Sequence, residues 1–176
     1  MEDSADLNGS SRWLPEAPLP PYSYVPGVNE HPISSPNGHG VVFRETTFIS
    51  LSDESWCECQ PYLYGLDLFD AGFYWEAHET WEHAWIDVGR RGMTADFLKG
   101  LIKLCAAGVK FRERKSTGVE RHLARCRELL GGIRQQWEKA TFCGVRLGEL
   151  DHLLEGPFAP VDVEFRFPFR IPVAQE

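Results

Sequence analysis

Residues 73–85 read Phe-Tyr-Trp-Glu-Ala-His-Glu-Thr-Trp-Glu-His-Ala-Trp, and this stretch is the most informative of the chain. It contains two His/Glu pairs spaced four residues apart, His78 with Glu82 and Glu79 with His83. Side chains four residues apart lie one above the other on a helix, so each pair can converge on one point. Imidazole nitrogens and carboxylate oxygens are common ligands of divalent transition metals and common partners in proton transfer.

A helical projection of this stretch sorts its polar side chains into two groups. At about 100° per residue, His78, Glu82 and Trp85 share an arc of about 60° beside the apolar side of the helix. We therefore predict that they lie at the edge of the core. The remaining polar side chains of the stretch are predicted to face solvent: Glu76, Glu79 and His83.

Glu82 at the edge of the core needs a partner, because a buried carboxylate that is neither paired nor ligated is strongly destabilising. Three arrangements meet this need: a structural ion pair with His78 or a lysine, a metal ion held together with His78, or acid–base work on a bound substrate. His78 and Glu82 are thus candidate ligands of a divalent metal ion, with a third ligand still required. The candidates for that third ligand are the histidines elsewhere in the chain: His31, His39, His122 and His152.

Two function classes stay open at this point. The stretch is close to the zinc-protease pattern His-Glu-x-x-His, but Glu82 stands at the second histidine position, and His83 points about 100° away. The chain also lacks a nucleophile motif and a phosphate-binding loop. One class is therefore a helical binding module for a small ligand or a protein partner, and the other is a metal-assisted hydrolase with Glu82 or Glu79 as base.

Further side chains are candidates to line the site, and Glu79 is one of them. Trp81 and Trp85 could wall a ligand pocket, although tryptophans at this spacing more often belong to the core. Lys99 and Lys103 lie on one face of the next predicted helix, together with Lys110. Such a stripe could bind an anion, but a solvated face is the commoner reason for it, and the negative charge of the chain favours that interpretation.

The motif resembles a known family. The segment 73–79, followed by Glu82 and Trp85, is similar to the His-x-x-x-Glu-x-x-Trp signature of the domain of unknown function 309 family. Residues 97–107 resemble the second conserved helix of that family, and residues 144–154 fit its final part. The resemblance covers roughly residues 62–155.

The resemblance implies a small all-α domain and a metal site, with no established activity. The second motif of the family carries glutamines where this chain has Lys99 and Lys103. Any polar contribution of that helix to the site would therefore differ here in charge.

Composition limits the class of protein. The net charge of −8 disfavours nucleic-acid binding, which needs a basic surface. No apolar run is long enough for a membrane span, and the acidic start is unlike a signal peptide, so we predict a cytoplasmic protein. The five cysteines suggest reduced thiols, with Cys105 and Cys126 in the core. A homodimer is left open.

Hydrophobic periodicity predicts an all-α fold, a bundle of three long helices with shorter ones, between extended Pro-rich N-terminal and C-terminal arms. The predicted segments are an arm at 1–48, a helical core at 49–156 and a tail at 157–176. The first dozen residues are expected to be mobile and residues 41–44 to be extended, while the aromatic part of the arm is expected to lie across the helices. The tail alternates apolar and polar residues from 161 to 171, with prolines that limit it to an edge or extended segment.

The helix boundaries are predicted from caps and glycines. Ser52 or Asp53 is the expected start of the first helical part, with a break near Gly65 and a long helix from there to Val88. Thr94 is the expected N-cap of the second long helix. The third is expected from Ser116 or Thr117 to about Glu138, weakened at Gly131-Gly132, before a short helix at 147–155.

Overall fold

The computed structural model describes residues 12–41, 47–155 and 165–174. Within these ranges the helices are α1 (Gln60–Asp70), α2 (Tyr74–Asp87), α3 (Met93–Arg112), α4 (Ser116–Gln136) and α5 (Leu147–Leu153). A single turn of 3-10 helix at Trp56–Glu58 precedes them, and two short antiparallel strands, β1 (Thr141–Phe142) and β2 (Val145–Arg146), lie between α4 and α5. Successive helices pack on each other, α1 on α2, α2 on α3 and α3 on α4. The predicted all-α fold is confirmed.

The first long helix is interrupted at a different place from the predicted one. Gly65 lies in the middle of α1 and is buried there because the Trp81 indole occupies the space where a side chain would be. The chain breaks instead between α1 and α2, where Gly72 adopts a φ of +84°. A glycine in the left-handed region ends a helix without the steric cost that other residues carry.

The predicted capping residues before α1 have a different role. Ser52 Oγ accepts hydrogen bonds from the backbone N–H groups of Glu54 and Ser55, so it closes a turn and does not start a long helix. Asp53 accepts a hydrogen bond of 2.9 Å from the backbone N–H of Cys143. It therefore connects this turn to the loop between β1 and β2.

The later boundaries agree closely with the predicted ones. Helix α3 begins at Met93 after Gly92, which has a φ of +88°, so Thr94 lies inside its first turn and is not the cap. Helix α4 begins at Ser116 as predicted and continues through Gly131 and Gly132 to Gln136. No helix of the described residues combines the length and apolar character that a membrane span requires.

The core lies along the seams between the first four helices. Trp81 is fully buried, and so are the two cysteines predicted to be there, Cys105 and Cys126. All five cysteines are free thiols, of which Cys57 is exposed. Burial raises the pKa of the Cys126 thiol to about 12, so it stays protonated and acts as a small apolar side chain.

The N-terminal arm, residues 12–41, lies across the helices as predicted. The buried carboxylate of Asp67 in α1 accepts the backbone N–H groups of Trp13 and Leu14 at 2.8 and 2.9 Å. Val25 is buried, and the Tyr24 ring packs edge-on against a tryptophan of α2. The arm therefore contributes hydrogen bonds and apolar contacts to the fold. The stretch expected to be mobile, residues 1–11, lies outside the described residues, as do residues 42–44 of the expected extended piece.

The C-terminal tail packs against the start of α2 and the end of α3, which lie side by side. Phe165 stacks on Phe111 with ring centres 4.2 Å apart, and the backbone N–H of Phe167 donates to the buried Tyr74 hydroxyl at 2.8 Å. Val173 forms an isolated antiparallel bridge with Val145 of β2. Residues 161–164 of the predicted alternating segment lie outside the described residues.

Candidate functional site

His78, Glu79 and Glu82 form a cluster near the middle of α2. One ligand atom of each residue lies within 4.8 Å of the corresponding atoms of the other two. All three residues are half-buried. The helical projection directs Glu79 away from the other two, and this part of the prediction is wrong, although the side chain stays 33% exposed. A side chain one position away on the helix, about 100° around, still reaches its neighbour when it is as long as glutamate.

The imidazole of His78 has an unusual contact within this cluster. Its Nδ1 lies 3.3 Å from Glu79 Oε1. Nδ1 is nevertheless buried and has no hydrogen bond, because the angles at this short distance do not suit one. Buried polar atoms are nearly always hydrogen-bonded in proteins, so an orphaned nitrogen facing a carboxylate calls for a further partner.

Glu76 differs most from its predicted position. It was expected to face solvent, but its side chain is fully buried. Its Oε1 accepts the backbone N–H of Tyr24 at 2.8 Å and lies 3.2 Å from Nε2 of His39. Burial raises the pKa of the Glu76 carboxyl, while the Tyr24 N–H and His39 oppose that shift. The arm therefore covers the side of α2 that the helical projection assigns to water.

Both ring nitrogens of His39 have partners, one in the arm and one in α2. His39 Nδ1 lies 3.0 Å from the carbonyl oxygen of Gly40, which only accepts, so Nδ1 carries a hydrogen. The Nε2 facing Glu76 then either donates to the ionised carboxylate or accepts from the protonated acid. Both states make a hydrogen-bonded pair, and this pair fastens the arm to α2.

The other candidate third ligands lie in different surroundings. His31 packs against Trp75, and its Nδ1 accepts backbone N–H groups of its own loop. His152 is exposed and lies 3.3 Å from Glu155. With His39 bound to Glu76, the structure brings none of these three histidines to the cluster.

His122 lies near enough to the cluster for the charge of His78 to act on it. It is half-buried on α4. Burial, together with the neighbouring charges of Lys103, Arg121, Lys110 and His78, lowers the pKa of His122 to about 4. His122 is therefore a neutral imidazole at physiological pH, which is the form that binds a metal or exchanges a hydrogen bond.

Trp81 and Trp85, the two tryptophans considered as lining residues, have separate roles. Trp81 is a core residue, as predicted, and its Nε1 donates a hydrogen bond of 3.1 Å to the carbonyl of Tyr62. Trp85 is half-buried and lies between two cations, Arg90 at 5.5 Å and Lys99 at 5.9 Å from the ring centre. Such contacts hold the lysine of α3 beside the outer face of α2.

The family comparison agrees with the motif. Residues 62–122 match the model of the family described as "Domain of unknown function (DUF309)". This range extends from Tyr62 in α1 to His122 in α4, so it contains the His78/Glu79/Glu82 cluster and confirms the family resemblance. No curated protein and no solved structure matches the chain.

Proposed function

We propose that this protein binds a divalent metal ion at His78, Glu79 and Glu82, and that this helical domain is a metal- and small-ligand-binding module. An imidazole with two carboxylates is a donor set that suits zinc, manganese, iron and similar ions. Two ligands at about 2.1 Å from one ion lie roughly 3–4 Å apart, so small side-chain rotations bring atoms within 4.8 Å into range.

The observation that carries this proposal is the contrast between two His/Glu contacts made by glutamates of α2. The His39–Glu76 contact is what a structural pair looks like, since both imidazole nitrogens have hydrogen-bond partners. The His78–Glu79 contact is equally close, yet His78 Nδ1 has no hydrogen bond. His78 Nδ1 lies beside a carboxylate without a hydrogen bond to it, which fits a site that a bound metal ion would complete.

The residues also leave room for a further ligand. The side chains of His78 and Glu79 are 29% and 33% exposed, so an ion bound there would have coordination positions open to solvent. Bound at this site, a divalent ion would supply a Lewis-acid centre. Glu79 and Glu82 would hold the ion, and the buried hydrogen-bonded backbone of α2 would keep the three donors in place.

The alternatives weighed from the sequence have less support. A structural His78–Glu82 pair would need a direct contact, and within the described residues His78 has its ion-pair contact with Glu79 alone. A metal-assisted hydrolase needs a substrate position that no observation identifies. The cytoplasmic location, the homodimer and the exclusion of nucleic acid stay predictions from sequence.

The test is metal binding by protein purified without a histidine tag. We expect titration with zinc, manganese and iron(II) to give one site per chain, and His78→Ala and Glu82→Gln each to weaken it by about tenfold or more. His83→Ala is the matched control, because His83 is an exposed histidine of the same helix, and it should leave the affinity unchanged. If no ion binds stoichiometrically, or if the control weakens binding as much as His78→Ala, the proposal fails.

A further inference from the structure

We propose that this site takes a small oxyanion, a carboxylate or a phosphate, with Lys103 as its charged partner and His122 as a hydrogen-bonding partner. The inference rests on the proposed metal site and names the class of ligand that this site would hold. It follows from the register of three helices and from the charges that lie within about one turn of the cluster.

Contacts at the two ends of the α2–α3 pair fix its register. A Cβ at Gly108 would lie 2.5 Å from the ring of Tyr74, and at the other end Lys99 lies over the ring of Trp85. The two helices therefore run antiparallel, with residue 108 opposite 74 and residue 99 opposite 85. Lys103 is one turn along α3 from Lys99, so it is level with residues 79–81 of α2 and hence with the cluster.

The α3–α4 pair places His122 about one turn along α3 from the level of Lys103. A Cβ at Gly118 would lie 3.1 Å from Lys110, and a Cβ at Gly100 would lie 3.0 Å from Leu130. These antiparallel contacts put His122 opposite residues 106–108. The side chain at position 106, on the turn of α3 between Lys103 and the level of His122, is a half-buried alanine.

Lys103 is half-buried on α3, on the same face as Lys99 and Lys110. Of its companions on that face, Lys110 is paired with Glu113, and Lys99 lies over Trp85. Within the part of the chain that the structure describes, Lys103 takes part in no ion pair, although the protein has 26 acidic residues and a net charge of −8. Glu79 and Glu82 are level with it, but they belong to the cluster around His78.

The charge count favours a negative ligand. A divalent ion held by Glu79 and Glu82 is neutral overall, and His122 contributes no charge when it is neutral. Lys103 then adds one positive charge beside coordination positions that are open to solvent. One oxyanion would neutralise this charge, accept a charge-assisted hydrogen bond from Lys103 and still reach the ion. His122, as a neutral imidazole, has one donor nitrogen to offer to the same ligand.

The experiment measures anion and metal binding separately. Metal-loaded wild-type protein and each variant are titrated with inorganic phosphate and, in a separate series, with acetate. The metal affinity of each protein is measured without either anion. Lys103→Gln and His122→Gln are the test variants. Lys99→Gln is the matched control for Lys103→Gln, because it removes one positive charge from the same face of α3. Arg121→Gln is the control for His122→Gln, because it removes one positive charge from the turn of α4 that carries His122.

We expect one of the two anions to bind the metal-loaded protein, with affinity lowered about tenfold in Lys103→Gln and less in His122→Gln, while the controls stay within about twofold. Metal affinity in Lys103→Gln should be unchanged or higher. If metal binds but neither anion does, or if the controls lower anion affinity as much as Lys103→Gln, the anion assignment is overturned and the metal proposal stands. If no metal binds and phosphate or acetate still binds through Lys103, the metal proposal is overturned and the anion assignment stands; binding of neither overturns both.

Discussion

The Trp81 indole lies directly against the backbone of Gly65, so closely that a Cβ on Gly65 would come within 2.0 Å of Nε1. The same nitrogen donates a hydrogen bond to the carbonyl of Tyr62 one turn earlier in α1. The two contacts together fix how α2 crosses α1, and this crossing presents the motif helix to α3.

Gly65→Ala is therefore expected to destabilise the fold. The added methyl group must displace a fully buried indole, which we expect to cost about 1–3 kcal/mol of the free energy of unfolding. Gly131→Ala is the control, since a Cβ at this helical position meets nothing within 4 Å, and it should stabilise by roughly 0.5–1 kcal/mol. Urea unfolding followed by circular dichroism measures both, and equal stability of the two variants would contradict the close approach.

Glu76→Ala tests the attachment of the arm to α2. The variant leaves the Tyr24 N–H and the His39 imidazole without their acceptor in a buried place, so we expect a loss of about 2–4 kcal/mol. Glu120→Ala, at an exposed position of α4, should change stability by less than about 0.5 kcal/mol. Hydrogen exchange should show lost protection at Tyr24, while metal affinity stays as in the wild type; weakened metal binding with intact protection would mean that Glu76 belongs to the metal site instead.

Tyr74→Phe tests the attachment of the tail. The hydroxyl of Tyr74 is buried and accepts the Phe167 N–H, and burial raises the pKa of this hydroxyl to about 12. Its removal leaves a buried N–H unpaired, which should cost about 1–2 kcal/mol. Tyr22→Phe removes a hydroxyl that donates to the exposed carbonyl of Glu30, so thermal unfolding should hardly change. A Tyr74→Phe variant as stable as Tyr22→Phe would argue against this contact.

His122 should make stability depend on pH. Its pKa is about 4 in the fold, against about 6.5 in an unfolded chain, so the unfolded state binds the proton first as the pH falls. The stabilising contribution is complete above about pH 6.5 and is lost progressively towards about pH 4. We expect the unfolding free energy of His122→Gln to fall less than that of the wild type between these values, and His152→Gln, at an exposed site, to fall as the wild type does. An NMR titration midpoint of His122 near 6.5 would contradict the expectation.

Much of the fold could be predicted because the helices carry their own signals. The apolar stripe of α4 and the polar start at Ser116 gave its bounds almost to the residue. Gly65 misled the prediction for a physical reason: a glycine within a helix indicates a break when only local propensity is weighed, but here it makes room for an indole 16 positions later in the chain. No local pattern distinguishes these two uses of glycine.

The site was predictable only within α2. Spacing and the helical projection singled out His78 and Glu82 with Glu79 as a lining candidate, and the structure places Glu79 in their cluster. The burial of Glu76 depends on His39, a residue 37 positions away in a stretch without periodicity. A helical projection treats any polar side as water-facing, so it is wrong wherever an irregular segment covers that side.

Arg112 is held by hydrogen bonds to both the arm and the tail. Its guanidinium donates to Ser23 of the arm and to the carbonyl of Phe165 in the tail, and Asp67 and Glu76 receive their backbone donors from the arm. Every one of these three charged residues lies within the segment that matches the family, residues 62–122, while the groups that satisfy them lie outside it. The recognisable segment and the cooperative folding unit therefore have different lengths. A fragment cut at the edges of the match would keep the His78/Glu79/Glu82 cluster and leave buried charges without partners from the arm and the tail.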